Sequence, residues 1–185
     1  MKKILVCTIA IILICGCFVG TTIAWLMDQS DRVENTFTAG DIEITLTETT
    51  GNEYKMVPGD KITKDPKVTV LGGSEACYLF VVIEKSTNFD TYMTYAIADG
   101  WTELAGYPGV YYRKVDAVAE DATAEYPVLL NNQVVVSQDV TADQLEEAES
   151  NKPMLSFIAL AVQQANIADE QAAWSIIEDS FNPLG

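Results

Sequence analysis

The sequence contains no histidine. Without this residue the chain cannot form a Ser-His-Asp triad, a Cys-His dyad or an HExxH motif, and it lacks the commonest zinc ligand. Carboxylate or lysine chemistry remains open, but no residue pattern points to it. We therefore expect a protein that is not an enzyme, with no catalytic residue, no metal site and no cofactor.

Basic residues are scarce. The chain has 11 Lys and Arg against 27 Asp and Glu, a formal net charge of −16. Lys2 and Lys3 precede Trp25 and every acidic residue follows it, so the chain from Trp25 onward keeps nine of the 11 basic residues and all 27 acidic ones, net −18. This charge repels phosphate backbones and anionic membrane surfaces, and we expect no nucleic-acid partner.

Cysteine is also sparse, and three of the four cysteines (Cys7, Cys15 and Cys17) lie in the first 24 residues. If those residues are removed, Cys77 alone remains and no internal disulfide can form. Cys77 lies in the apolar run CYLFVVI, which predicts a small buried core residue more than a reactive thiol. A domain of this size can fold without disulfides.

The first 24 residues have the layout of a secretory signal peptide: two lysines, an apolar run, and the small residues Thr22 and Ala24 before Trp25. We predict cleavage between Ala24 and Trp25 and a single domain over residues 25–185. Three alternatives remain: an uncleaved membrane anchor over residues 4–27, lipidation of Cys17, or a buried core helix. With cleavage, the protein is expected outside the cell.

The rest of the chain reads as short strands separated by Gly- and Pro-marked turns. Val57-Pro58-Gly59-Asp60 predicts a type II turn, and an Asn-Asn pair predicts a hairpin between residues 126–130 and 133–137. The run Tyr78–Ile83 is apolar on both faces, which indicates a central strand. The other strands are predicted at residues 42–47, 61–71 (with Val68 and Val70 inward), 92–98, 110–115 and 154–163. Because Pro66 cannot donate to a ladder, its part of the strand 61–71 is expected to lie at a sheet edge or to begin there.

Two short helices complete the pattern. Thr141 and Gln144 fit a capping box that opens a helix through Glu149, and Asn166–Asp169 opens a second helix that contains Trp174. The tally of about eight strands and two peripheral helices predicts an all-β fold, an antiparallel sandwich or barrel.

Two groups of side chains outside the leader invite a functional interpretation. The first comprises five loop carboxylates that could bind Ca²⁺: Asp60, Asp65, Glu75, Asp90 and Asp99. They do not have the spacing of an EF-hand. The second comprises aromatic residues that could form a ligand-binding patch: Trp101, Tyr107, Tyr111 and Tyr112. Solvated loop charge and core packing are the commoner fates of such residues.

The run Asn35-Thr36-Phe37-Thr38-Ala39-Gly40-Asp41-Ile42-Glu43-Ile44, behind a leader that ends in Ala-aromatic, resembles the TasA and camelysin family. The later Pro-Gly-Asp stretch (57–68) and the apolar strand 76–84 are similar in order and spacing, so the resemblance is clearest over residues 20–84. It implies a secreted jelly-roll β-sandwich processed by a SipW-type signal peptidase. TasA-like members form extracellular fibres of the biofilm matrix, with a possible accessory matrix protein. Camelysin-like members are cell-surface metalloproteases, a function that the missing histidine opposes.

The resemblance also gives the segment after the leader a role, because the released N-terminal segment of TasA-like members adds as a strand to the next subunit. An extended segment can satisfy the unpaired groups of a sheet edge. We predict residues 25–35 as the donor segment, with four apolar residues at Trp25, Leu26, Met27 and Val33. Head-to-tail addition yields open filaments. Alternatively, the segment pairs with its own domain, and the protein is a monomeric surface adhesin.

Overall fold

The computed structural model describes residues 38–39, 41–50 and 55–178. They all belong to the second of the two compact units into which the chain divides, Glu34–Gly185. The described residues form eleven strands and three helices. No helix among them is long and apolar enough to cross a membrane.

The strands, in chain order, are β1 (Thr38–Ala39), β2 (Ile44–Thr47), β3 (Lys61–Thr63), β4 (Lys67–Val70), β5 (Cys77–Lys85), β6 (Met93–Ile97), β7 (Thr102–Glu103), β8 (Val110–Val115), β9 (Ala124–Pro127), β10 (Leu129–Val136) and β11 (Leu155–Gln163). The helices are α1 (Phe89–Tyr92), α2 (Ala142–Ser150) and α3 (Glu170–Glu178).

These strands form three sheets. The main sheet has the order β1-β11-β5-β8-β7, the β4 sheet has the order β2-β4-β9, and the β10 sheet has the order β3-β10-β6. Every pairing among the described strands is antiparallel except that of β1 with β11. The predicted all-β, antiparallel, sandwich-like class is confirmed.

The main sheet is covered on both faces, as predicted for its central strand β5. On the inner face Leu79 packs with Val68 of the β4 sheet, and both side chains are fully buried. On the outer face Phe80 packs against Trp174 of α3, with ring centroids 5.3 Å apart. Since successive strand residues point to opposite faces, only a strand that is apolar at every position can serve both layers.

The β10 sheet has a core of its own, closed by α1 and α2. Phe89 and Tyr92 of α1 and Ala148 of α2 are buried against Val134 and Val136 of β10. The predicted capping box of α2 is present: Gln144 N–H donates to Thr141 Oγ1 at 3.3 Å, and Thr141 N–H donates to Gln144 Oε1 at 2.9 Å. The four-residue helix α1 was not predicted, because it lacks an apolar period.

The predicted turn before β3 is also confirmed. Gly59 has φ +83°, and Asp60 N–H donates to the Val57 carbonyl at 3.0 Å. Only glycine takes this left-handed conformation without steric cost, as the third residue of a type II turn requires. The turn is tied to β10, because Gly59 N–H donates to the Val136 carbonyl at 3.2 Å.

Two sequence predictions are wrong. The expected strand 61–71 is two strands in different sheets, separated at Pro66, which has no N–H for a ladder. The expected hairpin does not form, because β9 pairs with β4 while β10 pairs with β3 and β6. Asn131 and Asn132, at φ 57° and 51°, instead make a bulge within β10. Two left-handed residues suit a bulge as well as a hairpin turn.

Candidate functional site

The residues predicted to carry processing and assembly lie outside the described part of the chain. They are Thr22, Ala24 and Trp25 at the expected cleavage site, and Trp25, Leu26, Met27 and Val33 in the expected donor segment. The structure does describe where the chain that follows them joins the domain. This place is β1, on one edge of the main sheet.

β1 pairs in parallel with the last part of β11. Thr38 lies opposite Ala161 and Ala39 lies opposite Val162. β11 begins at Leu155, so the outer edge of its first six residues, Leu155–Leu160, has no partner strand among the described residues. We call these six residues the β11 edge.

The backbone groups of the β11 edge that point away from β5 can be identified from the hydrogen bonds at the two ends of β11. Gln164 N–H donates to the Ala76 carbonyl at 2.8 Å, and Ser86 N–H donates to the Met154 carbonyl at 3.0 Å. Even-numbered residues therefore direct their backbone groups to β5, because directions alternate along a strand. The odd-numbered Leu155, Phe157 and Ala159 direct theirs outward.

The β11 edge is also uncharged. The whole strand reads LSFIALAVQ, without Asp, Glu, Lys or Arg. Its odd-numbered side chains face the inner core and its even-numbered ones from Ile158 onward face α3, while Ser156 is exposed. Just before the strand, Met154 is 66% exposed. An uncharged edge with outward backbone groups is a surface onto which another strand can pair.

The other sheet edges are shorter, and several carry charge. β3 has three residues with Lys61 among them and Lys64 just after it, β9 contains Glu125 and Pro127, and β7 has only two residues. The remaining edge strands, β2 and β6, are uncharged but have four and five residues. Lysine, proline and shortness all oppose pairing with a further strand. The β11 edge, with six uncovered residues, is the longest open edge in the part of the chain described.

The loop carboxylates do not come together. The Asp65 carboxylate accepts from Thr49 N–H at 2.9 Å and from the Thr50 hydroxyl at 3.0 Å, and Asp90 pairs with Lys85 at 2.6 Å. The Thr49 hydroxyl also donates to Asp65, and this bond is the main cause that lowers the pKa of Asp65. Within residues 41–50 and 55–178, no group of three or more His, Cys, Asp or Glu is placed to hold a metal ion.

The predicted aromatic patch is divided between two layers. Trp101 and Tyr111 belong to the inner core, whereas Tyr107 and Tyr112 pack on the outer face near Trp174. Tyr107 and Trp174 have ring centroids 5.7 Å apart. These residues therefore pack the two layers of the sandwich and do not share one surface.

Arg113 has a position that sequence reasoning missed. Its guanidinium carbon lies 4.0 Å from the Tyr126 ring centroid and 5.3 Å from that of Trp101. Its Nε is buried and has no hydrogen-bond partner among the described residues. Burial lowers the pKa of Arg113. The contacts join β8 of the main sheet to β9 of the β4 sheet, so we interpret Arg113 as a clamp between layers.

Cys77 is fully buried, as predicted, in the inner core. Burial raises the pKa of its thiol to about 11, because the thiolate loses its solvation. A thiol that stays protonated and inaccessible is a poor nucleophile. The structure gives Cys77 a packing role.

No family model, no curated protein and no solved structure matches this chain. The interpretation of the site therefore depends on the residues and on the geometry described above. Sequence reasoning predicted β11 as a strand but not as a sheet edge. The available signal was its nine-residue uncharged run, which is apolar on both faces over its second half.

Proposed function

We propose that this protein is an exported structural subunit, similar to TasA, that assembles into extracellular fibres through addition of its N-terminal segment to a neighbouring subunit. The donor is residues 25–35, released when a SipW-like signal peptidase removes residues 1–24. The acceptor is the β11 edge of the next copy. In this proposal the sandwich is of jelly-roll type, and the protein has no enzymatic activity.

The observation that carries the proposal is the β11 edge itself. It is long and uncharged, it directs the backbone groups of Leu155, Phe157 and Ala159 outward, and it lies where the chain from the N-terminus reaches the domain. A donated strand would bond these groups, and its apolar side chains would cover surface near the exposed Met154. Such addition is heterologous and therefore continues into an open filament.

The energetics allow assembly but not at every concentration. The three outward residues offer about six backbone groups, at roughly 1 kcal/mol for each bond formed. Burial of Trp25, Leu26 and Met27 contributes about 2 kcal/mol each. The sum of about 12 kcal/mol is comparable to the association cost of about 4–15 kcal/mol. We therefore expect fibres to form above a threshold concentration and to dissolve on dilution.

The first test compares a chain that begins at Trp25 with a chain that begins at Thr36. Electron microscopy and sedimentation of both are expected to show fibres for the first and monomers for the second. N-terminal sequencing of the secreted protein is expected to begin at Trp25. Monomers of both chains under all conditions would favour a monomeric surface adhesin instead.

A matched pair of edge variants tests the acceptor. Ser156→Lys places a charge on the β11 edge, and Thr94→Lys places one on β6; both native residues are exposed and lie on uncharged edge strands. We expect Ser156→Lys to raise the threshold concentration at least tenfold and Thr94→Lys to leave it nearly unchanged. Equal effects of the two lysines would exclude the β11 edge as the acceptor.

A further inference from the structure

We propose that Arg113 is a carboxylate-binding site: its guanidinium group is held between Tyr126 and Gly100, and its free N–H edge takes a carboxylate in a two-bond ion pair. Either a free organic acid or an acidic side chain of another copy of this chain could supply that group. The inference goes beyond the proposed function, because Arg113 lies on β8, which β5 separates from the β11 edge. Its success or failure does not depend on fibre assembly.

Arg113 has no counter-ion, unlike several lysines of the domain. The ammonium groups of Lys64, Lys67 and Lys85 lie 2.6, 2.8 and 2.6 Å from a carboxylate oxygen. No carboxylate in the described part of the chain forms an ion pair with Arg113, although the sequence holds 27 acidic residues against 11 basic ones. A partly buried cation without a counter-ion is unfavourable. A carboxylate ligand would supply the missing charge.

The guanidinium group also has unused hydrogen-bond donors. An arginine has five N–H groups on three nitrogens, and none of those of Arg113 donates to an acceptor among the described residues. Nε is buried, whereas Nη1 and Nη2 are reached by solvent. A ligand can therefore meet Arg113 only at the outer edge that the two Nη atoms form.

Three neighbours fix the orientation of this edge. The Tyr126 ring lies on the guanidinium at 4.0 Å, and the Trp101 ring lies at 5.3 Å and is itself held by a bond from its Nε1 to the Pro127 carbonyl at 2.9 Å. A Cβ added at Gly100 would lie 3.0 Å from Nη2 and 3.4 Å from both Cζ and Nη1. Such similar distances to three atoms place Gly100 over the plane of the group. The fork is thus oriented before a ligand arrives.

This geometry favours a carboxylate over other anions. The planar fork of arginine matches the two oxygens of a carboxylate with two parallel N–H···O bonds. Because Tyr126 and Gly100 cover the faces of the group, a ligand must approach in its plane, which excludes stacking of a ligand ring on the arginine. The net charge of −16 repels a multiply charged anion such as phosphate more than a single carboxylate.

The test is an NMR titration of the chain from Trp25 with sodium acetate, compared with sodium chloride at equal ionic strength. We expect the Arg113 Nε–H and Trp101 indole N–H signals to shift with acetate and to saturate, with half-saturation in the millimolar range. Arg32, the only other arginine in the sequence, is the internal reference for unspecific pairing. Acetate shifts no larger than those of chloride, or equal for the two arginines, would overturn the proposal.

A matched set of variants separates the fork from its charge. Arg113→Lys keeps the positive charge but loses the fork, and we expect the affinity for acetate, read at the Trp101 indole, to fall by about tenfold or more. Lys67→Gln removes a cation whose ammonium already has the Glu125 carboxylate, and it should leave the affinity nearly unchanged. Equal losses in the two variants would contradict the site. The titration of the unsubstituted chain decides the question even if Arg113→Lys does not fold.

Dilution of the protein distinguishes the two sources of the carboxylate. If another copy supplies it, the Arg113 Nε–H signal moves with protein concentration in chloride alone, and acetate competes with this change. If a free acid is the ligand, the signal is independent of protein concentration and responds only to acetate. Absence of both responses would show that Arg113 serves packing alone.

Discussion

The edge strands β11 and β3 differ in length and in charge. β11 has nine uncharged residues, and β1 covers only its last part. β3 has three residues, is preceded by a fixed turn, and has Lys61 within it and Lys64 just after it. Short, charged edges protect against pairing, and long uncharged ones permit it. Among the described residues, the edge most open to pairing with a further strand is therefore that of β11.

The two strands also differ in how much they contribute to the stability of the fold. Leu160 of β11 is fully buried between β5 and α3, whereas Ile62 of β3 is only partly buried. We expect Leu160→Ala to lower the free energy of unfolding by about 3 kcal/mol and Ile62→Ala by about 1 kcal/mol. Urea denaturation of both variants measures this. Equal losses would show that the β3 edge is as integral to the core as β11.

A substitution in the turn before β3 is expected to have the next largest effect on the free energy of unfolding. Gly59 has φ +83°, and an added Cβ would lie 3.3 Å from Gln138 Cγ. Gly106 has φ +87° with no atom within 4 Å of such a Cβ, so it is the matched control. We expect Gly59→Ala to cost about 2 kcal/mol and Gly106→Ala about 1 kcal/mol, measured by thermal or urea unfolding. A larger loss for Gly106→Ala would mean that the contact with Gln138 is unimportant.

The smallest expected effect on stability is that of Asp65, which lies in the connection between β3 and β4. Hydrogen bonds lower the pKa of its carboxylate below the usual 3.8, and the bond from the Thr49 hydroxyl has the largest effect. Because the folded-state pKa is the lower one, the stabilisation is complete above pH 3.8 and is lost as the pH falls through the folded-state value. Since the site is solvated, we expect less than about 1 kcal/mol.

The corresponding measurement is the free energy of unfolding between pH 6 and pH 2 for the wild type and Asp65→Asn. The wild type should lose more stability than the variant over the acidic part of this range. Parallel curves would show that the bonds to Thr49 and Thr50 do not stabilise the fold.

The predictable part of this fold is the part controlled by local chemistry. The apolar run of β5, the Pro-Gly turn before β3 and the Thr141 cap were all predicted, because each depends on neighbouring residues alone. The division of residues 61–71 between two sheets was not, since it depends on which distant strands pair with each half. The hairpin predicted around Asn131 was wrong, because left-handed residues occur both in bulges and in hairpin turns. Which of the two forms depends on the strands that pair on either side.

The candidate site was also only partly predictable from the sequence. Sequence indicated a donor segment and a long strand near the C-terminus, but no local signal says that a strand is at an edge. That property depends on the order of strands in the main sheet, which joins the first described strand to the last. The interior position of Arg113, with Trp101 and Tyr126 around it, likewise requires the packing of two sheets.

The most direct test of the central claim is intermolecular cross-linking within assembled fibres. Subunits with a photoreactive phenylalanine analogue in place of Leu26 are mixed with isotopically heavy subunits, assembled and irradiated. Strand addition predicts that the light donor peptide is joined to a heavy peptide that contains residues 155–160. Cross-links from position 26 only to β3 or β6, or only within one chain, would contradict it.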